Sequence, residues 1–166
     1  MKRTVLGILI LVFGCTAMYG QGKFAFGFNG GPVVGDLKDA VSVNLAVDFE
    51  YLHAVTDKFE VGGATGYIIG FTKDIELPNN QNLEVDNISF IPVAIAFRFN
   101  VANPLSIGVD TGYGVGINEG NEGGFYYRPR LGIGVSESVD LVASYVGVAN
   151  GGGNYNAATF GVLFGF

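Results

Sequence analysis

The chain has 166 residues, of which nearly half are hydrophobic and only 14% are charged, a composition that fits one domain but is unusual for a small soluble one. It contains no run of 18 apolar residues, so the sequence excludes a transmembrane helix. Without the signal segment described next, seven basic and fifteen acidic residues give a formal charge of −8, which excludes nucleic acid as an expected partner because that binding depends on neutralising phosphates.

The N-terminus has the layout of a secretory signal peptide. A basic pair at positions 2 and 3 precedes an apolar segment, residues 5–13, that is too short to span a membrane. We predict a signal peptide over residues 1–20, cleaved near residues 17–20, and one domain over residues 21–166. A lipoprotein signal acylated at Cys15 is the alternative, although the bulky Phe13 fits it poorly. In either case no second cysteine is present, and no disulfide is expected.

Large apolar residues then alternate with small or polar ones, which is the period of a β-strand. The first strand has one row made of Phe24, Phe26 and Phe28. The second strand has one row made of Val41, Val43, Leu45, Val47, Phe49 and Tyr51. The third strand has one row made of Phe59, Val61, Tyr67, Ile69 and Phe71.

Four more strands follow the long polar loop of residues 73–87. The fourth, ISFIPVAIAFRF, places Val93, Ile95, Phe97 and Phe99 on the face opposite Ala94, Ala96 and Arg98. The fifth alternates over residues 105–117 and the sixth over residues 125–135, while the seventh, through Tyr145, has an ambiguous facing. Proline removes a ladder donor, so we expect a β-bulge at Pro92 and at Pro129.

The closing strand continues the alternation to the last residue, with its large apolar row made of Phe160, Val162, Phe164 and Phe166. A soluble sheet has no use for such an outward row, whereas a transmembrane barrel presents it to lipid. This end resembles the closing strand of Gram-negative outer-membrane β-barrels, and FIPVAIAFRF resembles a strand common in the small OmpA- and OmpX-like barrels. The resemblance implies that these four residues are the signal that the barrel-assembly machinery recognises. It also implies a monomer in the bacterial outer membrane, in contact with lipid and lipopolysaccharide.

The connections between the predicted strands alternate in length. Those near Asp57, Asn103 and Glu137 are short, and those near residues 36, 78, 120 and 152 are long. Outer-membrane barrels have short periplasmic turns and longer external loops. We therefore predict an all-β fold, an eight-stranded antiparallel up-and-down transmembrane β-barrel with both termini in the periplasm. A soluble lipocalin-like barrel would need the opposite facing and would expose the glycine-rich rows.

Aromatic girdles are expected where the strands meet the two membrane interfaces. On the periplasmic side they consist of Tyr51, Phe59, Phe99 and Phe166. On the external side they consist of Phe71, Phe90, Phe125 and Tyr127.

Seven charged residues fall on the inward rows: Asp48, Glu50, Glu60, Arg98, Asp110, Arg128 and Arg130. An eight-stranded barrel is only wide enough inside for side chains, so these charges must pair in one network. We expect Glu50 and Glu60 to lie opposite each other and share an arginine, and Arg130 to reach Asp110 diagonally. The simpler interpretation is a structural plug of ion pairs. The alternative is a gate in which the pairs exchange and open a narrow water path.

No catalytic residue, metal site or cofactor is predicted. Paired carboxylates can act as acid and base, but here no nucleophile or metal-ligand set accompanies them. His53, the one histidine, falls at the periplasmic end, whereas outer-membrane hydrolases use histidine on the external side. Residues 112–116 alternate glycine on a strand that no helix follows, which excludes a dinucleotide loop.

The external loop acids include Asp74, Glu76, Glu84 and Asp86. The simpler interpretation is that they are solvated, and the alternative is that a divalent cation bridges them to lipopolysaccharide. The resemblance to the small OmpA- and OmpX-like barrels implies a non-enzymatic barrel with a structural, envelope-integrity or surface-interaction role. A narrow passive channel for ions or small solutes is the alternative.

Overall fold

The computed structural model describes residues 22–73, 75–76, 82–83, 86–150 and 153–166, and in it the chain forms a closed antiparallel barrel. The barrel strands are β1 (Gly22–Val34), β2 (Val41–Thr56), β3 (Phe59–Thr72), β6 (Ile88–Ala102), β7 (Leu105–Gly116), β8 (Gly124–Ser136), β9 (Val139–Asn150) and β10 (Gly153–Gly165). Two-residue strands β4 (Ile75–Glu76) and β5 (Asn82–Leu83) pair as a separate sheet, and a 3-10 helix spans Gly35–Leu37. The predicted signal peptide with Cys15, and the loop acids Asp74 and Glu84, lie outside the described residues.

The predicted eight-stranded up-and-down barrel is confirmed. Around the barrel the strands follow the order β1-β10-β9-β8-β7-β6-β3-β2, and β1 closes the sheet by pairing with both β10 and β2. The β2–β3, β6–β7 and β8–β9 connections lie at one end, which we call the short-turn end, together with Gly22 and Phe166. The other connections lie at the opposite end, which we call the long-loop end. In the described part of the chain, no helix has the length and apolar character needed to cross a membrane.

Large apolar side chains point away from the barrel, as the alternation predicts. Phe28, Ile95, Leu131 and Phe160 are all more than half exposed, and comparable residues surround the barrel on the other strands. A continuous apolar belt of this kind is unfavourable in water and marks a membrane or protein contact surface. The inward rows carry the glycines, the alanines and the polar side chains, together with a set of buried apolar residues such as Ile68 and Val146. The small residues leave room for charged groups inside.

Strand β9 explains why its facing was ambiguous in the sequence. Val142, Val146 and Val148 are buried inside the barrel, while Ala143 and Tyr145 point outward. Apolar residues therefore occupy both faces of this strand, and the pattern alone does not distinguish them.

Two predicted outward residues point inward instead. Val41 is fully buried although Val43 is exposed, because a register shift between the two residues reverses the alternation. Phe90 is 4% exposed, because it shares the inward row of β6 with Ala94 and Arg98. The prediction that Phe90 belongs to the external aromatic girdle was therefore wrong.

The predicted bulges at the two strand prolines were also wrong. On both sides of Pro92 the register of β6 against β3 is the same, with Thr65 facing Val93 and Ile68 facing Phe90. The ladder between β8 and β9 likewise keeps its register across Pro129. Because proline has no N–H to donate, two pairs drop out of each ladder, and pairing then resumes without an inserted residue.

Candidate functional site

Charged side chains fill the half of the lumen that is nearer the short turns, with Glu50 on β2 at their centre. Arg130 on β8 forms a bidentate contact with Glu50, in which Nη1 donates to Oε2 at 2.9 Å and Nη2 donates to Oε1 at 3.0 Å. Arg98 on β6 donates from Nη2 to the same Oε2 at 2.6 Å. Strands β2 and β8 are four positions apart in either direction around the barrel. The Glu50–Arg130 pair therefore crosses the whole lumen, and such two-pronged charged contacts are among the stronger hydrogen bonds.

Arg98 also contacts Asp110 on the neighbouring strand β7. Its Nη1 lies 2.6 Å from Asp110 Oδ1, while the aligned hydrogen bond of Nη1 goes to the carbonyl oxygen of Phe97 at 2.9 Å. This contact is a close ion pair whose hydrogen-bond geometry is poor. Within the described residues, Arg98 Nε and Asp110 Oδ1 have no hydrogen-bond partner although both are buried.

A second cluster crosses the lumen beside the first. Arg128 Nη1 on β8 lies 2.9 Å from Asp48 Oδ1 on β2, and Asn29 Nδ2 donates to Asp48 Oδ2 at 2.7 Å. Arg128 Nε donates to Ser144 Oγ at 3.0 Å, and Ser144 Oγ lies 2.7 Å from Thr159 Oγ1. Sequence reasoning missed Asn29, Ser144 and Thr159. The alternation places them on inward rows, but they carry no charge that would mark them as members of a network of ion pairs.

The two clusters are electrically balanced. They contain three carboxylates and three guanidinium groups: Asp48, Glu50, Asp110, Arg98, Arg128 and Arg130. A charge taken out of water is costly unless it is paired and hydrogen-bonded, so this equality is what allows six ions to occupy a confined lumen.

Glu60 is the predicted network residue that the structure does not bring into the arginine clusters. It faces Arg98 in the β3–β6 ladder, yet its contact is with Lys23 Nζ at 3.6 Å. The Lys23 side chain is 73% exposed, so this pair is a surface one. The turn at 57–58 places Glu60 opposite Ala54 and Glu50 opposite Ala64, so the expected juxtaposition of the two glutamates was wrong.

Apolar side chains fill the other half of the lumen, nearer the long loops. The ring centroids of Phe90 on β6 and Tyr155 on β10 lie 5.2 Å apart, and those strands are again on opposite sides of the barrel. Tyr155 Oη donates to Asn44 Oδ1 at 2.6 Å, which satisfies the hydroxyl in this apolar surrounding. The buried residues of this layer are Val33, Val41, Ala46, Ile68, Phe90, Ala94, Tyr126, Val146, Val148, Tyr155 and Ala157.

Little free volume separates these layers. The cavity beside Asp48 and Arg128 is too small to admit a water molecule. A second cavity, lined by Asp110 and Tyr126, has a volume of about 10 Å³. One water molecule needs about 10–15 Å³ of such volume. Larger spaces occur at the two ends: a vestibule of about 200 Å³ at the short-turn end and a cleft of about 560 Å³ at the long-loop end. The vestibule reaches inward as far as Glu50, Arg98 and Arg130.

The other residues singled out in the sequence lie as follows. His53 is half-buried near the short-turn end, where it faces Gly22 and Val61 in the ladders. Within the described ranges, no group of His, Cys, Asp and Glu is arranged to hold a metal ion. The closing-strand residues Phe160, Val162, Phe164 and Phe166 are on the outward row, and the Phe166 N–H donates to the carbonyl oxygen of Phe24 at 2.8 Å.

No family model matches the chain, and no curated protein matches it. Solved structures do match. The outer-membrane protein Ail of Yersinia pestis, in a phospholipid nanodisc, aligns with a TM-score of 0.63 and 14% identity, over 89% of this chain and all of Ail. The crystal structure of the same protein, the attachment invasion locus protein of Yersinia pestis, aligns with a TM-score of 0.59 and 14% identity, over 90% of this chain and all of Ail. A de novo designed transmembrane barrel aligns with a TM-score of 0.53 and 13% identity, over 90% of this chain and 98% of the design. The fold that the resemblance implied is confirmed: the chain has the fold of the small transmembrane β-barrels.

Proposed function

We propose that the protein is an integral outer-membrane barrel whose lumen is closed, and that it supports envelope integrity without acting as an enzyme. The observation that carries the proposal is that side chains fill both halves of the lumen. Ion pairs cross it in the short-turn half, and packed apolar side chains cross it in the long-loop half. The interior of an eight-stranded barrel is narrow, and in this protein side chains occupy it.

The location is supported by the outward apolar belt and by the fold. The belt matches the lipid-facing band of outer-membrane barrels, and Phe24 with Tyr51 and Phe125 with Tyr127 form aromatic contacts near its two edges. On this proposal residues 1–20 direct export and are removed, and the barrel is monomeric in contact with lipid and lipopolysaccharide. The closing strand presents its outward row of Phe160, Val162, Phe164 and Phe166 to the assembly machinery.

A non-enzymatic role is supported by the state of the chemically capable side chains. The buried carboxylates and guanidinium groups contact one another and so neutralise their charges mutually. Catalytic groups instead keep an acid, a base or a nucleophile available to a substrate.

A narrow passive channel is the second candidate, and the vestibule favours it. This space opens to solvent at the short-turn end and ends on Arg98 and Arg130, so exchange of their partners would lengthen the water path. The apolar layer around Phe90 and Tyr155 would still have to part before ions could cross.

Deleting the gene in its native bacterium separates the two candidates. A structural barrel predicts that the deletion strain admits more of a bulky antibiotic and of detergent, and that the wild-type gene restores resistance. A channel predicts slower uptake of a small hydrophilic solute with the barrier to bulky compounds unchanged. That second pattern would contradict the structural proposal.

A further inference from the structure

The cleft at the long-loop end, which we call the rim cleft, has the size of a small-molecule site. Its volume is about 560 Å³, within the range of roughly 300–1,000 Å³ that is usual for ligand pockets. Leu37 and Ile88 line it as half-exposed apolar residues, while Phe90, Val148 and Tyr155 are nearly buried and close its base. A ligand with an apolar body would therefore find an apolar surface there.

The polar rim of the cleft is held in place by the protein. Asn118 Oδ1 accepts from the Ser89 N–H at 2.7 Å, and Asn121 Nδ2 donates to the Ser89 carbonyl oxygen at 3.0 Å. These bonds fix the segment that carries Glu119. Asn87, which follows Asp86 directly, accepts from the Thr72 N–H at 3.2 Å. Both acidic residues of the rim thus adjoin anchored asparagines, and such preorganisation reduces the entropy lost on binding.

The charge around the cleft is strongly negative. Asp86 and Glu119 line it, and among the described residues no Lys or Arg does. The neighbouring residues outside the described ranges contain no Lys or Arg in their sequence either. The long connections together hold eight acidic residues and two basic ones: Asp36, Asp39, Asp74, Glu76, Glu84, Asp86, Glu119, Glu122, Lys38 and Lys73. The potential at this end attracts cations and repels anions.

We propose that the rim cleft binds a small organic cation with an apolar body, such as an aryl- or alkylammonium ion. The apolar body contacts Leu37 and Ile88, and the ammonium group lies near the carboxylates of Asp86 and Glu119. The site is independent of whether the barrel conducts, because the apolar layer separates it from the ion-pair clusters.

Three probes of matched size test the charge preference: benzylammonium, neutral benzyl alcohol and anionic benzoate. Each is titrated at neutral pH and low salt into the barrel refolded in phosphatidylcholine nanodiscs, with the side-chain amide signals of Asn118 and Asn121 followed by NMR. We expect benzylammonium to bind and to shift these signals, benzyl alcohol to bind at least about tenfold more weakly, and benzoate not to bind. Equal binding of the alcohol and the cation would overturn the proposal.

Two double variants of equal charge separate a local site from a general electrostatic effect. Asp86→Asn with Glu119→Gln should weaken benzylammonium binding by about tenfold or more, because two carboxylates near the ammonium are neutralised. Asp57→Asn with Glu137→Gln removes the same charge at the opposite end, and should change the affinity by less than about twofold. Equal weakening by both pairs would contradict a site in the cleft.

A steric variant distinguishes the cleft from the acidic loops around it. A Cβ at Gly153, which lines the cleft, would meet no atom within 4 Å, so Gly153→Leu is expected to fold normally and to fill part of the cleft. Benzylammonium binding should then fall although every carboxylate is present. Unchanged binding in a variant that migrates as a folded, heat-modifiable barrel would show that cations gather on the loops and not in the cleft.

Discussion

Replacing Glu50 with Gln should destabilise the barrel far more than a single surface charge would. The change keeps the shape of the side chain but removes the carboxylate that Arg98 and Arg130 share. Arg98 keeps Asp110 at 2.6 Å, whereas Arg130 has no second carboxylate contact within the described residues. Removing one partner of a buried ion pair costs about 3–5 kcal/mol of stability. Because the Arg98–Asp110 pair survives, we expect the free energy of unfolding to fall by about 3 kcal/mol.

Glu60→Gln is the matched control. It is the same substitution on an inward row, but Glu60 contacts the exposed Lys23 at 3.6 Å and, among the residues that the structure describes, no arginine. An exposed pair of this kind contributes about 0–1 kcal/mol, so the control should unfold almost as the wild type does.

A second variant tests whether the loss comes from the stranded arginine. Adding Arg130→Met to Glu50→Gln removes the unpaired charge and leaves the pairs Arg98–Asp110 and Arg128–Asp48. The double variant should therefore recover about 1–2 kcal/mol relative to Glu50→Gln alone, a coupling typical of residues in contact.

The assay is equilibrium unfolding in urea from lipid vesicles. Because the chain contains no tryptophan for fluorescence, unfolding is followed by circular dichroism and by heat-modified migration in gels. Similar midpoints for Glu50→Gln and Glu60→Gln would refute the claim that the ion pairs across the lumen stabilise the fold. A double variant that is less stable than Glu50→Gln would refute the charge-stranding explanation.

Three further outcomes are expected. Phe166→Ser should lower the amount of heat-modifiable barrel in cells while precursor processing is unchanged, and wild-type levels would show that the terminal residue is not recognised. Protease added to intact cells should cut within residues 73–87 and spare the turn at 57–58, and the reverse pattern would contradict the orientation. Tyr155→Phe should lower the free energy of unfolding by about 1–3 kcal/mol, since it leaves the fully buried Asn44 without the hydroxyl donor, and an unchanged urea midpoint would count against that contact.

The fold was predictable because each strand has one row of side chains facing the lipid and one facing the lumen. Apolar residues therefore recur at every second position on nearly every strand. Local exceptions were not predictable from that period. The register shift beside Val41 reverses its facing, and Val142 on β9 is as apolar as the residues that face lipid. In both places the alternation carries no information about which face is inward.

The charged lumen residues were predictable as a set, whereas most of their pairs were not. Contacts were inferred between strands that are adjacent in sequence, which correctly places Arg98 beside Asp110. The pairs Glu50–Arg130 and Asp48–Arg128 join strands on opposite sides of the barrel. Their geometry depends on how the closed sheet staggers its strands, and that stagger is not encoded in the spacing of any one hairpin.

Single-channel recording in a planar bilayer tests the closed lumen most directly. The refolded wild-type barrel should give no defined conductance steps at either polarity, because ion pairs fill one half of the lumen and packed apolar side chains fill the other. Insertion must be verified in the same membrane by protease protection of the barrel. Reproducible steps of defined size from inserted wild-type protein would contradict the account and favour the channel.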